Sequence, residues 1–593
     1  MKTTLALLRP LIYWILQHFI LLISLLGITT LALGIHGFLT LESKCCEITF
    51  WNALYGTLSL TVLEWSLNPD DQVPLTLNIA RFLAPVVSGG VVAKGISFLA
   101  GFHNKIHRDS MNGHRIVCGL GQRGQHLAVT RARDKKNVVA IDANPSPEIE
   151  TVCQNNGINL VAGDASDISV LKEAGITRAK EAYIFTDNDN LNLEIVHAIQ
   201  KARRNVSESD DVPELECYLS VNDLHLTDLI AVHSDYKECG AKMDVQSFND
   251  YQTVARGLWK TLLKIAAKEG RCLPVKINDT KRPHIVLVGF SPAAEAIAQQ
   301  IANQAHFAND KETRMTIIDE AVDQKDAAKA NNLVAATLEK LDLILDLKKV
   351  PAKPGSLEAQ AKILDALDEG DSLPTIIVSG REDSENLRLA LHINGQLGGV
   401  ENTSVPIFVR LKESTGLDEF IDREVTENAV LKQVHGFGLY QETFSLENIK
   451  AEALNDIAQA IHASFYGDGH KPSDPQVKEA WDDLPEYLKE ANRNPAEHIA
   501  IKCLAIGCDI SAGGIPKLED LEANIEILAR MEHARWMADK KLQGWKWGEE
   551  TNKQRLTHKN LVPWEDLPEE EKEKDRDQVR AIPDLLKAAR GSA

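Results

Sequence analysis

The stretch Gly119-Leu120-Gly121-Gln122-Arg123-Gly124 joins residue types that suit one chemistry, the holding of phosphate. A glycine at 121 lets backbone approach a pyrophosphate, and Gly124 lets a helix pack closely on the strand before it. The N-terminus of that helix adds positive potential. A short apolar strand, His114 to Cys118, precedes the loop, and an amphipathic helix opens after it. The next apolar run, "NVVAID", ends at Asp142, 23 residues after Gly119. That is where an acid takes ribose hydroxyls in a dinucleotide fold. Arg123 either adds charge to the phosphates or is a solvated arginine.

Other chemistries find little support. There is no YxxxK pair for a dehydrogenase, and no Ser/His/Asp elbow, HExxH or Walker loop. The nine cysteines form no CxxC pair or His/Cys cluster at metal spacing. They are expected to be reduced, with only the adjacent Cys45 and Cys46 placed to leave the cytosol. No catalytic or metal-binding residue is therefore expected. The formal charge of -20 argues against nucleic acid as a partner. Residues 1–110 hold seven Lys/Arg against six acids, so the remainder carries about -21.

The elements that must position the loop follow in order. "INLVAGDASDISVLKEAGI", "EAYIFTDNDNLNLEIVHAIQKAR" and "LECYLSVND" alternate strands with helices. With the run Gly163 to Ser166, the "LKEAGI" helix and the "TDND" turn, residues 112–265 resemble the RCK (regulator of potassium conductance) or TrkA N-terminal family. The resemblance implies a cytosolic Rossmann domain that binds NAD(H) or another adenine or cyclic nucleotide and gates an attached ion pathway. It would set Gly119, Gly121, Gln122, Arg123 and Gly124 at the phosphates and Asp142, with Ala143, at the ribose. Asp164, Ala165, Thr186 and Asp187 would line the rest. The rival role for Asp164 and Asp187 is capping or turn formation.

The same order recurs in "PHIVLVGFSPAAEAIAQQI", "RMTIIDE", "TIIVSGREDSENLRLAL" and "VPIFVRLKESTGLDEFI". The second loop reads Gly289-x-Ser291-x-x-Ala294, whose middle side chain would crowd a pyrophosphate. This copy is expected to be structural, pairing face to face with the first, and Asp319 to be an exposed strand-end acid.

Five of the nine tryptophans lie between Trp481 and Trp564, in an acidic helical tail. Each is an ordinary core residue or part of a ligand surface. Glu532-His533-x-Arg535-Trp536, Gly544-Trp545-x-Trp547-Gly548, His558, Leu561-Val562-Pro563-Trp564 and Lys574-Asp575-Arg576 resemble the RyR domain, the ryanodine receptor repeat. Trp547 and Trp564 stand where tyrosine is commoner, and Lys559 where proline is usual. The resemblance implies a small-molecule sensor without catalysis. Flat indoles stack a base and cations neutralise phosphate, so Asn492, Arg493, His533, Arg535, Trp536, Trp545, Trp547, Trp564 and Arg576 are candidates.

The N-terminal 110 residues suggest membrane. Residues 11–34 are uncharged and long enough to span, and a second apolar segment, about 76–101, carries Arg81 and Lys94. Flanking Lys2, Arg9, Lys105 and Arg108 would put both ends in the cytoplasm. Between the spans, residues 47–68 resemble the re-entrant segment of a two-helix potassium channel. Thr61-Val62-Leu63-Glu64-Trp65 replaces the TVGYG filter, which leaves selectivity open. Glu64, Asp70 and Asp71 would favour cations at an outer mouth. An interfacial helix in a plain two-span anchor remains an equal alternative, and Gly89 and Gly90 are a gating hinge or a packing surface.

The expected protein is α/β: N-terminal transmembrane helices (1–110), two tandem Rossmann-like RCK domains (112–275 and 282–445) and a mainly helical RyR domain (450–593). It would be a multi-pass bacterial inner-membrane protein contacting lipid, a ligand-gated cation channel and homo-oligomer, tetrameric on the channel resemblance with a dimer left open. The alternative outputs are a membrane-anchored nucleotide sensor or effector without a selective pore, and a regulator of a separate transporter.

Overall fold

The structure is a computed structural model. It describes residues 19–41, 48–64, 73–134, 137–204, 213–223, 242–322, 333–367, 370–397, 405–412, 433–445, 448–449, 452–464, 474–482, 484 and 486–591. The chain divides into two units, Met1–Ser110 and Met111–Ala593.

In the first unit, helices Phe19–Leu39, Phe50–Ser59 and Leu75–Ser110 pack around Phe38, Ala53, Leu60, Leu77, Ala80 and Ala84. Small residues set the approach: a Cβ on Gly37 would lie 2.6 Å from Leu77 Cβ, and one on Gly34 would lie 2.3 Å from Thr57 Cγ2. Thr49 caps the middle helix by accepting from Asn52 N.

One expectation is corrected here. Among the described residues only one helix, over Leu75–Val92 with mean hydropathy 1.5, is long and apolar enough to cross a membrane by length and composition. The apolar segment of the first helix, Ile23–Leu39, is shorter than that. With most of the chain in α/β and helical domains, this overturns the multi-pass reading. Residues 11–18 of the expected first span, together with Cys45, Cys46, Trp65, Asp70 and Asp71, lie outside the described residues.

The second unit holds two six-stranded parallel sheets. The first comprises β1 Arg115–Cys118, β2 Val138–Asp142, β3 Asn159–Ala162, β4 Glu181–Ile184, β5 Leu215–Ser220 and β6 Met243–Phe248, in the order β3-β2-β1-β4-β5-β6. The second comprises β7 Arg282–Val288, β8 Arg314–Ile318, β9 Asp346–Val350, β10 Ser372–Val378, β11 Ile407–Arg410 and β12 Val434–Phe437, in the order β12-β11-β10-β7-β8-β9. Read from its other edge, the second sheet has the winding of the first. Strands such as "RIVC" are buried throughout, as parallel strands covered on both faces must be. Each sheet reverses strand order beside its first strand, and the open end there is where doubly wound sheets take ligands.

One helix, Asp250–Glu269, links the copies. Asn249 caps it by accepting from Gln252 N at 3.0 Å, and Gly270, at φ +64°, ends it. Its buried face, including Leu258, Leu262 and Ala266, joins one continuous core with Ile285 and Phe408 of the second sheet. Ile499, Ile501, Leu528, Met531 and Val579 of the C-terminal helices belong to the same core. Phe444, just beyond β12, returns to the first sheet, with ring centroids 5.7 Å from Phe185 and 6.0 Å from Phe248.

Leu262 is fully buried, so Leu262→Ala should cost about 2–5 kcal/mol. Urea titration of the full chain should show a lower midpoint for the transition reporting the second sheet. An unchanged midpoint would place the linking helix outside that core.

Candidate nucleotide site and its connections

The glycine loop closes between β1 and the helix Gln122–Arg133. Gly119 has φ +89°, and a Cβ there would meet Thr186 Cγ2 at 3.1 Å. A Cβ on Gly124 would fall 1.8 Å from Gly119 O, which only glycine permits. Gly121 differs: a Cβ would meet only Asp187 Oδ2, at 3.6 Å, so the middle of the loop faces open space. Asp142 holds the loop from the β2 end, accepting from Leu120 N at 2.8 Å and from Asn144 N at 3.0 Å. Ala143 follows it directly. Asp164 closes its own turn, accepting from Ser166 N at 2.9 Å and Ser166 Oγ at 2.8 Å, and Ala165 beside it is buried. Thr186 donates through N and Oγ1 to Asn192 Oδ1, at 3.0 and 2.6 Å. Gln122, at the first helical position after the loop, completes the set.

Arg123 has a different setting from its neighbours. Its side chain is buried and reaches back under the loop. One terminal nitrogen pairs with Asp250 and the other donates to Thr186 O and Asp187 Oδ1, both at 2.9 Å. With its side-chain amide turned to exchange O and N, Asn222 joins the pair, donating to Asp250 Oδ2 at 3.2 Å and accepting from Arg123 Nη1 at 2.7 Å. Burial works against the Arg123 charge, but Asp250 and Asp187 outweigh it and hold the guanidinium protonated. Asp250 is the first residue of the linking helix. The loop is thus tied, through an ion pair, to the element that continues into the second sheet.

The second copy repeats the framework and changes the occupants. Asp319 accepts from Phe290 N and Ala321 N, both at 2.8 Å, as Asp142 does in the first. Asn386 accepts from Gly380 N at 2.8 Å and donates to Arg410 O at 3.1 Å. Asn192 does the same with Thr186 N and Ser220 O. Asp383 accepts from Lys412 N at 2.6 Å, as Asp189 does from Asn222 N at 3.0 Å. Ser291, at the Gly121 position, is buried and caps its helix through Ala294 N at 3.3 Å. Ala293 stands where the first copy has Arg123. Arg410, in the register position of Ser220, instead lies 5.5 Å from the Tyr251 ring, beside Asp250. The sequence reading passed over Asn192, Asp189 and Asp250. The first two could have been found by their recurrence as Asn386 and Asp383, six and three residues after Gly380.

From the linking helix the connections continue. Arg256 pairs with Glu490, and with Glu497 at 3.3 Å, on the helix Glu486–Ala505. Gln300 and Gln304 of the helix Pro292–Gln304 donate to Glu497 Oε2 and Asn494 O, both at 3.1 Å.

The RyR candidates divide into groups. Arg493, Trp536 and Trp545 line a cavity of about 860 Å³ between the C-terminal helices, the linking helix and the helix Pro292–Gln304. Asn492 is buried and donates to Leu488 O within its own helix. Arg535 is buried and spends two nitrogens on Glu532, which also pairs with Lys502. His533 meets Val562 O at 2.9 Å and Asp575 at 3.4 Å, and stacks on Trp536. Trp564 is buried, with Arg576 5.9 Å from its ring. Arg576 itself pairs with Glu526, Glu569 and Glu573. Trp547, in the short pair β13 Lys546–Trp547 and β14 Thr557–His558, is exposed. Among the described residues no group of three or more His, Cys, Asp or Glu is placed to hold a metal.

Two parallel sheets of like winding with a glycine loop at the first switch point define a duplicated RCK-like regulatory core. The family comparisons give that core its domains. The TrkA-N domain model matches residues 115–213 and the RyR domain model matches residues 516–590, so the chain contains both. These are regulatory, ligand-binding domains rather than catalytic ones. The voltage-gated potassium channel Kch of Escherichia coli is 27% identical over 180 residues, covering 28% of this chain and 41% of Kch. An uncharacterized protein of Methanothermus fervidus is 36% identical over 84 residues, covering 14% of this chain and 13% of that protein. The chain thus spans less than half the length of either relative. Among solved structures, GsuK bound to ADP covers 71% of this chain and 95% of its own at 16% identity and TM-score 0.35. The GsuK channel bound to NAD covers 72% and 82% at 13% identity and TM-score 0.36.

Two tests follow from this geometry. Gly124→Ala should prevent the loop from closing and cost at least about 3 kcal/mol, while Gly121→Ala should leave the melting temperature nearly unchanged. Equal melting temperatures for the two variants would contradict the packing described. The second test uses pH. Burial alone would push the Glu490 carboxyl up, but Arg256 and Arg493 outweigh it and hold it down at about 2, below the ordinary 4.5. A depressed folded value stabilises fully above pH 4.5 and loses that stabilisation as pH falls towards 2. Urea midpoints should fall over that window, and Glu490→Gln should flatten the fall by on the order of 2 kcal/mol. A slope unchanged by Glu490→Gln would assign the acid sensitivity elsewhere.

Proposed function

We propose that the protein is a nucleotide-responsive regulator of the channel-linked TrkA-N type, in which ligand at the first glycine loop changes an ion-conducting output of the N-terminal helices. The ligand is NAD(H) or another adenine nucleotide. The TrkA-N match supports that choice, and GsuK itself is known bound to ADP and bound to NAD. The site comprises Gly119, Gly121, Gln122 and Gly124 at the phosphates, Asp142 and Ala143 at the ribose, and Asp164, Ala165, Thr186 and Asp187 around the remainder.

The observation that carries the reading is the side chain of Arg123. It touches Thr186 and Asp187 on the ligand side and Asp250 on the linking helix. A phosphate arriving at the loop competes with Asp187 for the guanidinium and so changes the hold on Asp250. The linking helix carries that change to Glu490 and Glu497 through Arg256. Such a device needs only a difference in ligand affinity between two arrangements, typically 1–3 kcal/mol of coupling. The second copy has Ala293 in place of Arg123 and a filled loop, which fits a structural partner.

The second reading keeps the sensor and makes the N-terminal helices an anchor or effector without a potassium-type filter. It is favoured by Leu60–Val62, which form a 3₁₀ turn whose Thr61 carbonyl accepts from Ser88 Oγ at 3.0 Å. Carbonyls engaged in this way do not replace an ion's hydration shell.

Gly121→Asp would set a carboxylate at the loop centre beside Asp187, and affinity for NAD⁺ or ADP there should fall at least about 100-fold by calorimetry. Asp250→Asn should keep binding within about threefold and lose the nucleotide dependence of ion flux in proteoliposomes. Unchanged affinity in the first variant would refute the site. Flux that ignores nucleotide in the wild-type protein would remove conduction as the output and leave the second reading.

A further inference from the structure

The cavity beneath the C-terminal helices does not include the glycine loop. At about 860 Å³ it is large enough for a cofactor-sized ligand. The C-terminal helices supply one wall, and the end of β6, the linking helix, the helices Pro292–Gln304 and Leu333–Asp342 and the segment at Asn448 line the rest.

The aromatic wall is Trp536, Trp545 and His558. The imidazole stands edge-on to both indoles, at centroid distances of 4.9 and 6.0 Å. Three lysines face the same space: Lys340 from the second sheet's helix, Lys540, and Lys553. Lys540 lies 5.4 Å from the centre of the Trp545 ring. Burial pushes its ammonium down against the pull of Asp539, and the charges of Arg535 and then Lys553 push in the same direction as burial. Among the described residues none of the three lysines has a carboxylate at ion-pair distance, although the chain carries 85 acids. The acids that line the cavity are already engaged. Glu490 meets Arg256 and Arg493, and Asp539 accepts from Asn494 at 2.9 Å and Gln543 at 3.0 Å. Cations gathered around one cavity of an acidic protein favour an anion there. One polar group points to the rest of the ligand. Asn303 is 7% exposed and lines the cavity, and its Oδ1 has no hydrogen-bond partner. A buried acceptor left unmet costs about 1–3 kcal/mol, which an N–H donor would recover.

We propose that this cavity is a second ligand site, for an anionic purine nucleotide. The base lies against Trp536, Trp545 and His558, with an exocyclic amine available to Asn303, and the phosphates lie on Lys340, Lys540 and Lys553. The pocket is composite: residues of the second Rossmann copy complete it, so an occupant joins the RyR helices to that copy. The site stands independently of the glycine loop.

The test uses the full chain carrying Gly121→Asp, so that the loop no longer contributes. Calorimetry with ADP, ATP and NAD⁺ should still show one equivalent of at least one of them, with quenching of tryptophan fluorescence. Adding Lys540→Glu and Lys553→Glu should weaken that binding at least about tenfold at an unchanged melting temperature. Should the reversals lower the melting temperature, Lys340→Gln serves instead and should weaken binding by about threefold or more. The proposal fails if none of the three nucleotides binds the Gly121→Asp protein, or if binding ignores the lysine changes. Two equivalents in the wild-type protein and one in Gly121→Asp uphold both sites. One equivalent in each, sensitive to the lysines, upholds the cavity and refutes the loop. One in the wild-type protein and none in Gly121→Asp does the reverse.

Discussion

The ion pair between Arg123 and Asp250 governs how the second unit is put together. Both side chains are buried, and a buried charge without its partner costs several kcal/mol. The first helix of the first sheet and the start of the linking helix therefore cannot drift apart independently. Arg410 adds a matching constraint from the other side by lying against Tyr251, the next residue along. Two arginines, one from each copy, thus converge on adjacent residues at one helix N-terminus. The way the two copies meet at that helix N-terminus follows from what those cations require.

Much of this was legible in the chain. The glycine spacing, the strand-end acids Asp142 and Asp319 and the repeated order of apolar runs fix both windings, because they are local signals with short periods. The long-range partners were not legible. Arg123 and Asp250 lie 127 residues apart, and Arg256 and Glu490 lie 234 apart. Nothing in residue spacing selects one acid among 85. For the same reason Arg493, Trp536 and Trp545 fell within a broader set of RyR candidates. A list of residue types does not distinguish an arginine held by Glu532 from one facing a cavity. The membrane reading missed differently: window hydropathy finds apolar runs, but only one described helix is both long and apolar enough to span.

The two copies show what a repeat keeps and what it gives up. The hydrogen bonds from Asp142 and Asp319, and from Asn192 and Asn386, have the same partners in register, because they hold backbone at the switch point whatever the loop contains. The changes lie where a ligand would be. Glycine becomes Ser291, which turns its hydroxyl to its own helix, and arginine becomes Ala293. The second loop has become a packed helix start.

The core shared by the linking helix, the second sheet and the C-terminal helices has a consequence for how such a chain can be recombined. In a mosaic protein a sensor module is exchangeable when its apolar surface is its own. Here Ile499, Leu528, Met531 and Val579 lie in the same apolar mass as Ile285 and Phe408. Excising the last module would strip a face from the second Rossmann copy, and grafting it elsewhere would need a matching face to receive it. Inheritance should therefore treat residues from Asp250 onward as one inseparable cassette, and the buried Arg123–Asp250 pair with the packing of Phe444 on Phe185 extends that cassette to the first copy as well.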